Sequence, residues 1–481
     1  MLRKARILII PFIAAALWAA ETYVVDRSTP AAKPDFKRRR ALPPQLQKLK
    51  AAGEKMLTPN PRFQGPKSRP MPPNAPMTPR LTPLPPPAEQ NKTERFFGAV
   101  ADLMTTAWNR NIFVWLPAFS TDPNTGPTYG LLPVLVLAEP EHGHIRHLFA
   151  PSYTNNSLFG QTLTGRYYFY PTDESQLFAT GSYSQHTNRE VKIRYEDAAF
   201  IGGRAFIRAE GYFDVDGSQR FFGIGPETRE EDESGYTGRD KVVHLDMGVN
   251  FQKSWRLSGG LRYRRQVTDV NIIPNTPDLA SRFPAQAADS GQTAIVQEAH
   301  LLWDTRDLPV TPSRGSSGEA FLEKTSRGWG SDADFIRHGV EGKRFLPWKN
   351  GRQITVLHAL YDWSNGPNIP FFEMATLGGR DNLRGYGEGR FTDQGRIVFN
   401  AEHRVELASL ALMGVTARFE AGPFIDVGTV FQRLGDMERR DFRPVFGGAF
   451  RAAVKPNVVG SVDVGVGKEG PGVYVGINYP F

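Results

Sequence analysis

The sequence predicts an all-β protein, a transmembrane antiparallel β-barrel of about 16 strands with a disordered or helical extension at its N-terminus. Three observations carry that prediction. Apolar and polar residues alternate with period two beyond Tyr129, no apolar run reaches the roughly 20 residues a spanning helix needs, and the first residues read as a secretion signal.

The chain has 481 residues, net charge +8 and no cysteine, which removes disulfides, thiolate nucleophiles and a lipidated N-terminal Cys. Its elements follow in order. Arg3, Lys4 and Arg6 precede an apolar core from Ile7 to Trp18 and small residues from Ala14 to Ala20, so residues 1–20 read as a signal peptide, cleaved after Ala16, Ala19 or Ala20. Residues 21–89 are Pro-rich and polar and cannot bury a core, so they read as a disordered segment. Within them the basic run Lys37 to Arg40 is either a solvated linker or a contact for anionic headgroups or a partner. Residues 90–127 form a short helical and linker segment, with Phe96, Phe97, Val100, Met104 and Trp108 at helical spacing between Gln90 and Asn109.

Residues 128–481 make the barrel. His244, Asp246, Gly248 and Asn250 alternate with Leu245, Met247, Val249 and Phe251, as Arg256, Ser258, Arg262 and Arg264 do with Leu257, Leu261 and Tyr263. One face is apolar and the other charged, the pattern of lipid outside and lumen inside. Fifteen strand segments can be placed between 161–171 and 471–481, with one or two more between 128 and 153. In the last, Val473, Val475, Ile477, Tyr479 and Phe481 share an apolar face, opposite Tyr474, Gly476 and Asn478.

One stretch belongs to no strand. Leu377 to Phe391 reads LGGRDNLRGYGEGRF, and Gly385, Gly387 and Gly389 permit positive φ and close approach, so the segment can fold back with Leu383, Arg384 and Tyr386 as its tip. The strands after it offer a socket: Asn400, Glu402, Arg404 and Glu406 on one face, then Arg418, Glu420 and Asp426.

Catalytic patterns are missing. Gly315-Ser-Ser-Gly318 has the wrong spacing for a nucleophile elbow, and no zinc-protease helix or phosphate loop occurs. His142, His144 and His147 with Glu139 or Glu141 are either a divalent-metal site or a polar turn. Glu227, Glu230, Glu231, Asp232 and Glu233 are either a cation-binding loop or a solvated one. The reading is therefore a protein that is not an enzyme, with no cofactor, no assigned metal and no nucleic-acid partner.

The motif from Gly378-Gly379-Arg380 to Leu383-Arg384-Gly385-Tyr386, the strand Asn400-x-Glu402-x-Arg404 and Phe424-x-Asp426-x-Gly428 resemble the signature of a known superfamily. Arg220-Phe-Phe-Gly-Ile-Gly225-Pro, and Trp303 to Asp307 followed by Thr311 to Gly315, resemble further elements of it. It is the BamA/TamA-like superfamily of outer-membrane assembly and two-partner transporter barrels, the bacterial surface antigen family, and the resemblance runs from Tyr129 to Phe481. It implies that residues 365–393 form an inward loop after the eleventh strand. It also implies that Arg384 meets Asp426, with Glu402 a second candidate and Arg404, Phe424 and Gly428 around them. Tyr479 and Phe481 would be the C-terminal assembly signal. The implied function is insertion of outer-membrane proteins or translocation of a polypeptide, without ATP, in the bacterial outer membrane. A passive pore or structural barrel is the alternative. Implied partners are the lipid bilayer and lipopolysaccharide, an unfolded client, and a periplasmic accessory protein reached through residues 21–110. The stretch before residue 110 does not read as a POTRA module, which relatives usually carry.

Overall fold

A computed structural model describes residues 105–108, 111–121, 123–138, 145–172, 174–252, 254–308, 311–412, 415–454, 458–477 and 479–480. The expected signal peptide, the Pro-rich segment, most of the expected helix, His142, His144 and Phe481 lie outside them. The chain begins with β1 (Thr105–Trp108), β2 (Asn111–Ser120), β3 (Thr128–Ala138), β4 (Ile145–Phe149), β5 (Ser152–Asn156) and β6 (Gly160–Thr172). Next come β7 (Ser175–Ser184), β8 (Arg189–Phe200), β9 (Ala205–Phe221), β10 (Ser234–Phe251) and β11 (Trp255–Asp269). Two short helices, α1 (Leu279–Arg282) and α2 (Pro284–Ala287), precede β12 (Thr293–Asp304), β13 (Gly315–Thr325), β14 (Phe335–Trp348) and β15 (Gln353–Asn365). A long loop carries β16 (Ala375–Leu377) and β17 (Phe391–Asp393). β18 (Gly395–Leu412), β19 (Val415–Phe431), β20 (Arg443–Val454), β21 (Val458–Gly467) and β22 (Gly470–Ile477) complete it.

Twenty of these segments form one sheet, each described pair antiparallel, and its ends meet where Thr121 bridges Val475. β4 and β5 share one place in the wall, since both pair with β3 and β6, and β1 only flanks the start of β2. Among the described residues eighteen wall strands remain, two more than the sequence reading of about 16. β3 and the shared place of β4 and β5 fill the stretch where one or two strands were expected, and the strand outside the reading is β2, where Pro117 interrupts the alternation that marks a strand. The sheet accordingly starts before residue 128. The expected helix ending at Asn109 also gives way at its described end, because residues 105–108 pair as β1 with Asn111 to Val114. An open edge of β2 is available there, and Thr105 and Thr106 are β-branched residues that favour the extended backbone.

Elsewhere the alternation holds. On β10, Leu245, Met247, Val249 and Phe251 are exposed while Asp246 is buried, and on β11 Arg256 and Ser258 are buried while Leu257 and Leu261 are exposed. Charges on the inner face pair across the wall: Arg262 reaches Glu298 at 2.8 Å and Glu323 at 3.3 Å, and Arg264 reaches Asp240 at 2.8 Å. Such pairing is what a guanidinium needs away from bulk water. The longest connections, at 222–233, 270–292 and 366–394, gather at one end of the sheet. At the long-loop end Phe221, Tyr236, Leu279 and Phe371 pack together, so the helical connection covers the start of the 366–394 loop.

Candidate functional site: a loop anchored inside the sheet

The loop between β15 and β18 folds into the sheet interior. Leu377, Leu383, Tyr386 and Phe391 are buried against Val398, Phe424, Val430 and Val445 of the wall strands. Gly378 and Gly379 supply the turn with φ of 117° and 95°, a region closed to most side chains. The sequence reading held that Gly385, Gly387 and Gly389 permit positive φ and close approach. Of the three, Gly389 adopts positive φ, and Gly385 serves the close approach, since a Cβ there would stand 2.8 Å from the Gly467 nitrogen.

Arg384 is fully buried at the tip. Its Nε and Nη2 donate to the two carboxylate oxygens of Asp426, both at 2.8 Å, in the planar fork geometry that suits arginine. Its Nη1 donates to Glu402 at 2.6 Å and to Asp463 at 2.9 Å, and its backbone N–H also donates to Asp426 at 3.1 Å. The guanidinium lies 3.4 Å from the centre of the Phe424 ring. One side chain thus ties the loop to β18, β19 and β21.

The cluster is balanced. Arg451 donates to Asp463 at 2.6 Å and to Glu402 at 3.1 Å, and Arg404 donates to Glu402 at 2.8 Å. Three arginines face three carboxylates, all buried, so their formal charges cancel among themselves. Asn400 joins socket and loop by donating to Asp426 and to the Asn382 carbonyl, each at 2.8 Å. Gly428 leaves room for Leu377, which would stand 2.9 Å from a Cβ there.

Asp463, Arg451 and Tyr474 were missed by the sequence reading. The signal was a lone carboxylate in the glycine-rich β21 and a lone arginine in the otherwise uncharged end of β20. Tyr474 donates its hydroxyl to the Tyr386 carbonyl. Glycines of β21 and β22 let the loop backbone rest on the wall, since a Cβ at Gly465 would stand 2.5 Å, and at Gly472 2.8 Å, from the Arg384 carbonyl oxygen.

Farther along, Arg390 pairs with Glu469 at 2.7 Å and donates to the Thr228 carbonyl at 2.9 Å, while Gly225 N–H donates to Thr392 at 2.9 Å. The Arg220 to Pro226 motif is thereby the far abutment of the same loop. Asp393, in the loop strand β17, has its pKa pushed up to about 6 by burial, with the Gln394 N–H partly offsetting this. Beside the loop lies a cavity of about 810 Å³ lined by Glu190, Asp214, Asp240, Arg264 and Arg396 among others.

Tyr479 departs from its expected place on the apolar outer face. Among the described residues pairing ends at Ile477, and the ring turns inward to lie 3.7 Å from the Arg404 guanidinium. Its hydroxyl donates to Glu420 at 3.0 Å. His147, the described member of the histidine group, shares a hydrogen bond with the Tyr167 hydroxyl at 2.9 Å. Among the described residues no group of three His, Asp or Glu side chains is placed to hold a metal. Glu233 of the acidic loop pairs with Arg220 at 3.0 Å.

A family model described as the Omp85 superfamily domain matches residues 175–467. No curated protein matches the chain. Among solved structures, BamA from Haemophilus ducreyi lacking POTRA domains 1-3 is 12% identical, with 78% of this chain and 71% of that one covered and a TM-score of 0.48. CdiB from Escherichia coli is 14% identical, with 78% and 63% covered and a TM-score of 0.47. CdiB from Acinetobacter baumannii is 11% identical, with 77% and 59% covered and a TM-score of 0.40, so the chain spans less than two thirds of either CdiB structure.

Proposed function

The chain belongs to the Omp85 superfamily, and on that premise we propose that it works as an outer-membrane barrel that inserts, or passes, an unfolded polypeptide without ATP and without bond chemistry. The observation that carries this reading is the seam. β22 has a full ladder with β21 on one side and, among the described residues, a single bridge to Thr121 on the other. Unpaired backbone groups are costly in lipid, so an edge of this kind offers a client strand partners while it enters. The Arg384 anchor holds the loop against β21 and β22 and so keeps the seam's inner side in place. In this reading the N-terminal segment lies in the periplasm and offers an accessory protein its docking site. Tyr479 and Phe481 form the signal for the chain's own assembly, and the outer rim meets lipopolysaccharide.

The test reconstitutes the mature chain in liposomes and adds a urea-unfolded small barrel protein, whose folding is read by heat-modifiable gel migration. Acceleration over empty liposomes that Arg384→Ala abolishes, while itself folded, supports the reading. The charged cavity favours a second one, a passive pore or structural barrel. Steady single-channel conductance with no acceleration by a folded wild type would select that instead.

A further inference from the structure

Proline cannot donate a ladder hydrogen bond, so its place in a strand pair marks where pairing is given up. The hairpin of β2 and β3 is intact within itself, with nine residue pairs from Ile112 opposite Val136 to Ser120 opposite Thr128. Its two outer boundaries are different.

On the β3 side, Leu131 faces Tyr153 and Leu135 faces Phe149, which sets Pro133 opposite Pro151 in the three-residue interval where pairing lapses. Alternation decides which way these prolines point. Ala150 N–H donates to Arg166 of β6 at 2.9 Å, so the next residue, Pro151, turns its backbone toward β3. Pro133 must turn toward β5 to face it. Both hydrogen bonds of that residue pair are therefore missing, in mid-wall.

The same counting reaches the other boundary. Leu132, next to Pro133, turns toward β2 and faces Leu116, so Pro117 turns its missing donor away from β3, toward the edge next to β22. There the described link is the Val475 N–H to Thr121 carbonyl bond at 3.1 Å. Pro133 and Pro151 thus remove two bonds from one boundary of the hairpin, Pro117 offers no donor on its other edge beyond the end of β22, and its internal ladder keeps its donors. Its tip is fastened to the inward loop, where Asn124 donates to the Glu388 carbonyl at 2.9 Å.

We infer that the hairpin Asn111–Ala138 is a removable panel of the wall, which swings out as a unit and leaves a slot for an antiparallel β-hairpin of the client polypeptide. The slot is two strands wide, and an even number of strands keeps both of its edges, β22 and β4 with β5, in antiparallel pairing. The client's part in this rests on the insertion reading above; the panel's mobility does not.

The chain lacks cysteine, so engineered pairs report cleanly. Thr121→Cys with Val475→Cys locks one boundary, Leu131→Cys with Tyr153→Cys the other, and Phe119→Cys with Tyr129→Cys staples the hairpin internally; each pair sits at partnered positions. In nanodiscs without client, amides of β2 and β3 should exchange together and faster than those of β10 and β11, and each outer lock should slow them. Pro133→Val with Pro151→Val, which restores two donors, should slow them about tenfold or more. With client, either outer lock should abolish folding acceleration until reductant is added, and the internal staple should not. Exchange in the hairpin as slow as in β10 and β11 overturns the panel. Acceleration that survives the Leu131–Tyr153 lock overturns the two-strand slot and leaves opening to the β22 seam alone. Because exchange is read without client, failure of the insertion reading and failure of the panel are separate results.

Discussion

Replacing Arg384 by alanine tests the central geometry most directly. The side chain has no exposed surface, and its guanidinium donates four hydrogen bonds to three buried carboxylates, at 2.6 to 2.9 Å. Arg384, Arg404 and Arg451 balance Glu402, Asp426 and Asp463, so removing one cation leaves one buried negative charge with no counterpart. Breaking a buried pair from one side costs about 3–5 kcal/mol, and that is the expected loss for Arg384→Ala. Arg384→Lys keeps the charge without the planar fork, so it should lose about 1.5–3 kcal/mol for a forfeited charged hydrogen bond. The second half of the prediction is the cycle with Asp426→Ala. If the two side chains are partners, the double variant costs no more than the worse single one, because each deletion has already stranded the other group. Urea unfolding in liposomes, followed by tryptophan fluorescence, gives the free energies, and protease cleavage within residues 365–393 reports whether the loop has left its socket. Strict additivity of the two substitutions, or an Arg384→Ala midpoint equal to wild type, would refute the reasoning.

Gly465→Val and Gly472→Val should expose the 365–393 loop to protease, because their side chains would meet the Arg384 carbonyl, whereas Gly342→Ala, with no atom within 4 Å of its Cβ, should not. Burial raises the Asp393 pKa to about 6, so the folded state holds that proton more tightly than the unfolded chain does; the associated stability is full below the unfolded pKa and is lost as pH rises through about 6. Asp393→Asn should therefore raise the thermal midpoint relative to wild type at pH 8 and lose that advantage at pH 4; an advantage independent of pH would contradict the assignment. Tyr479→Phe keeps the ring on Arg404 but forfeits the hydrogen bond to Glu420, and should cost about 1.5–3 kcal/mol in urea unfolding.

Much of the wall was legible because a strand between lipid and a charged interior must alternate, and period two survives in β7 to β15 and β18 to β22 without knowledge of neighbours. The first wall strand, β2, was not, since Pro117 breaks its pattern. Helical spacing from Phe96 to Trp108 pointed to a helix, but residues 105–108 pair along β2. Local periodicity cannot report an edge contributed by another segment.

At the site, the glycine-rich loop and the charged faces of β18 and β19 announced themselves in sequence, because Arg384 among glycines and Glu402 or Asp426 on a strand's inner face have no use in lipid. Asp463 and Arg451 did not, for each is a single charge in an apolar strand and acquires its meaning only from the groups opposite. The likelihood of a charged residue inside a barrel can be read along the chain, but the identity of its partner cannot. Arg384 and Asp463 stand 79 positions apart and meet because the sheet curls and the loop enters it. The sequence by itself determined which residues face inward and where the chain leaves the wall, since both follow from local alternation and backbone freedom. Which charges neutralise one another, which glycines make room for the loop, and where Tyr479 turns were decided by tertiary structure alone, since each depends on distances across the curled sheet.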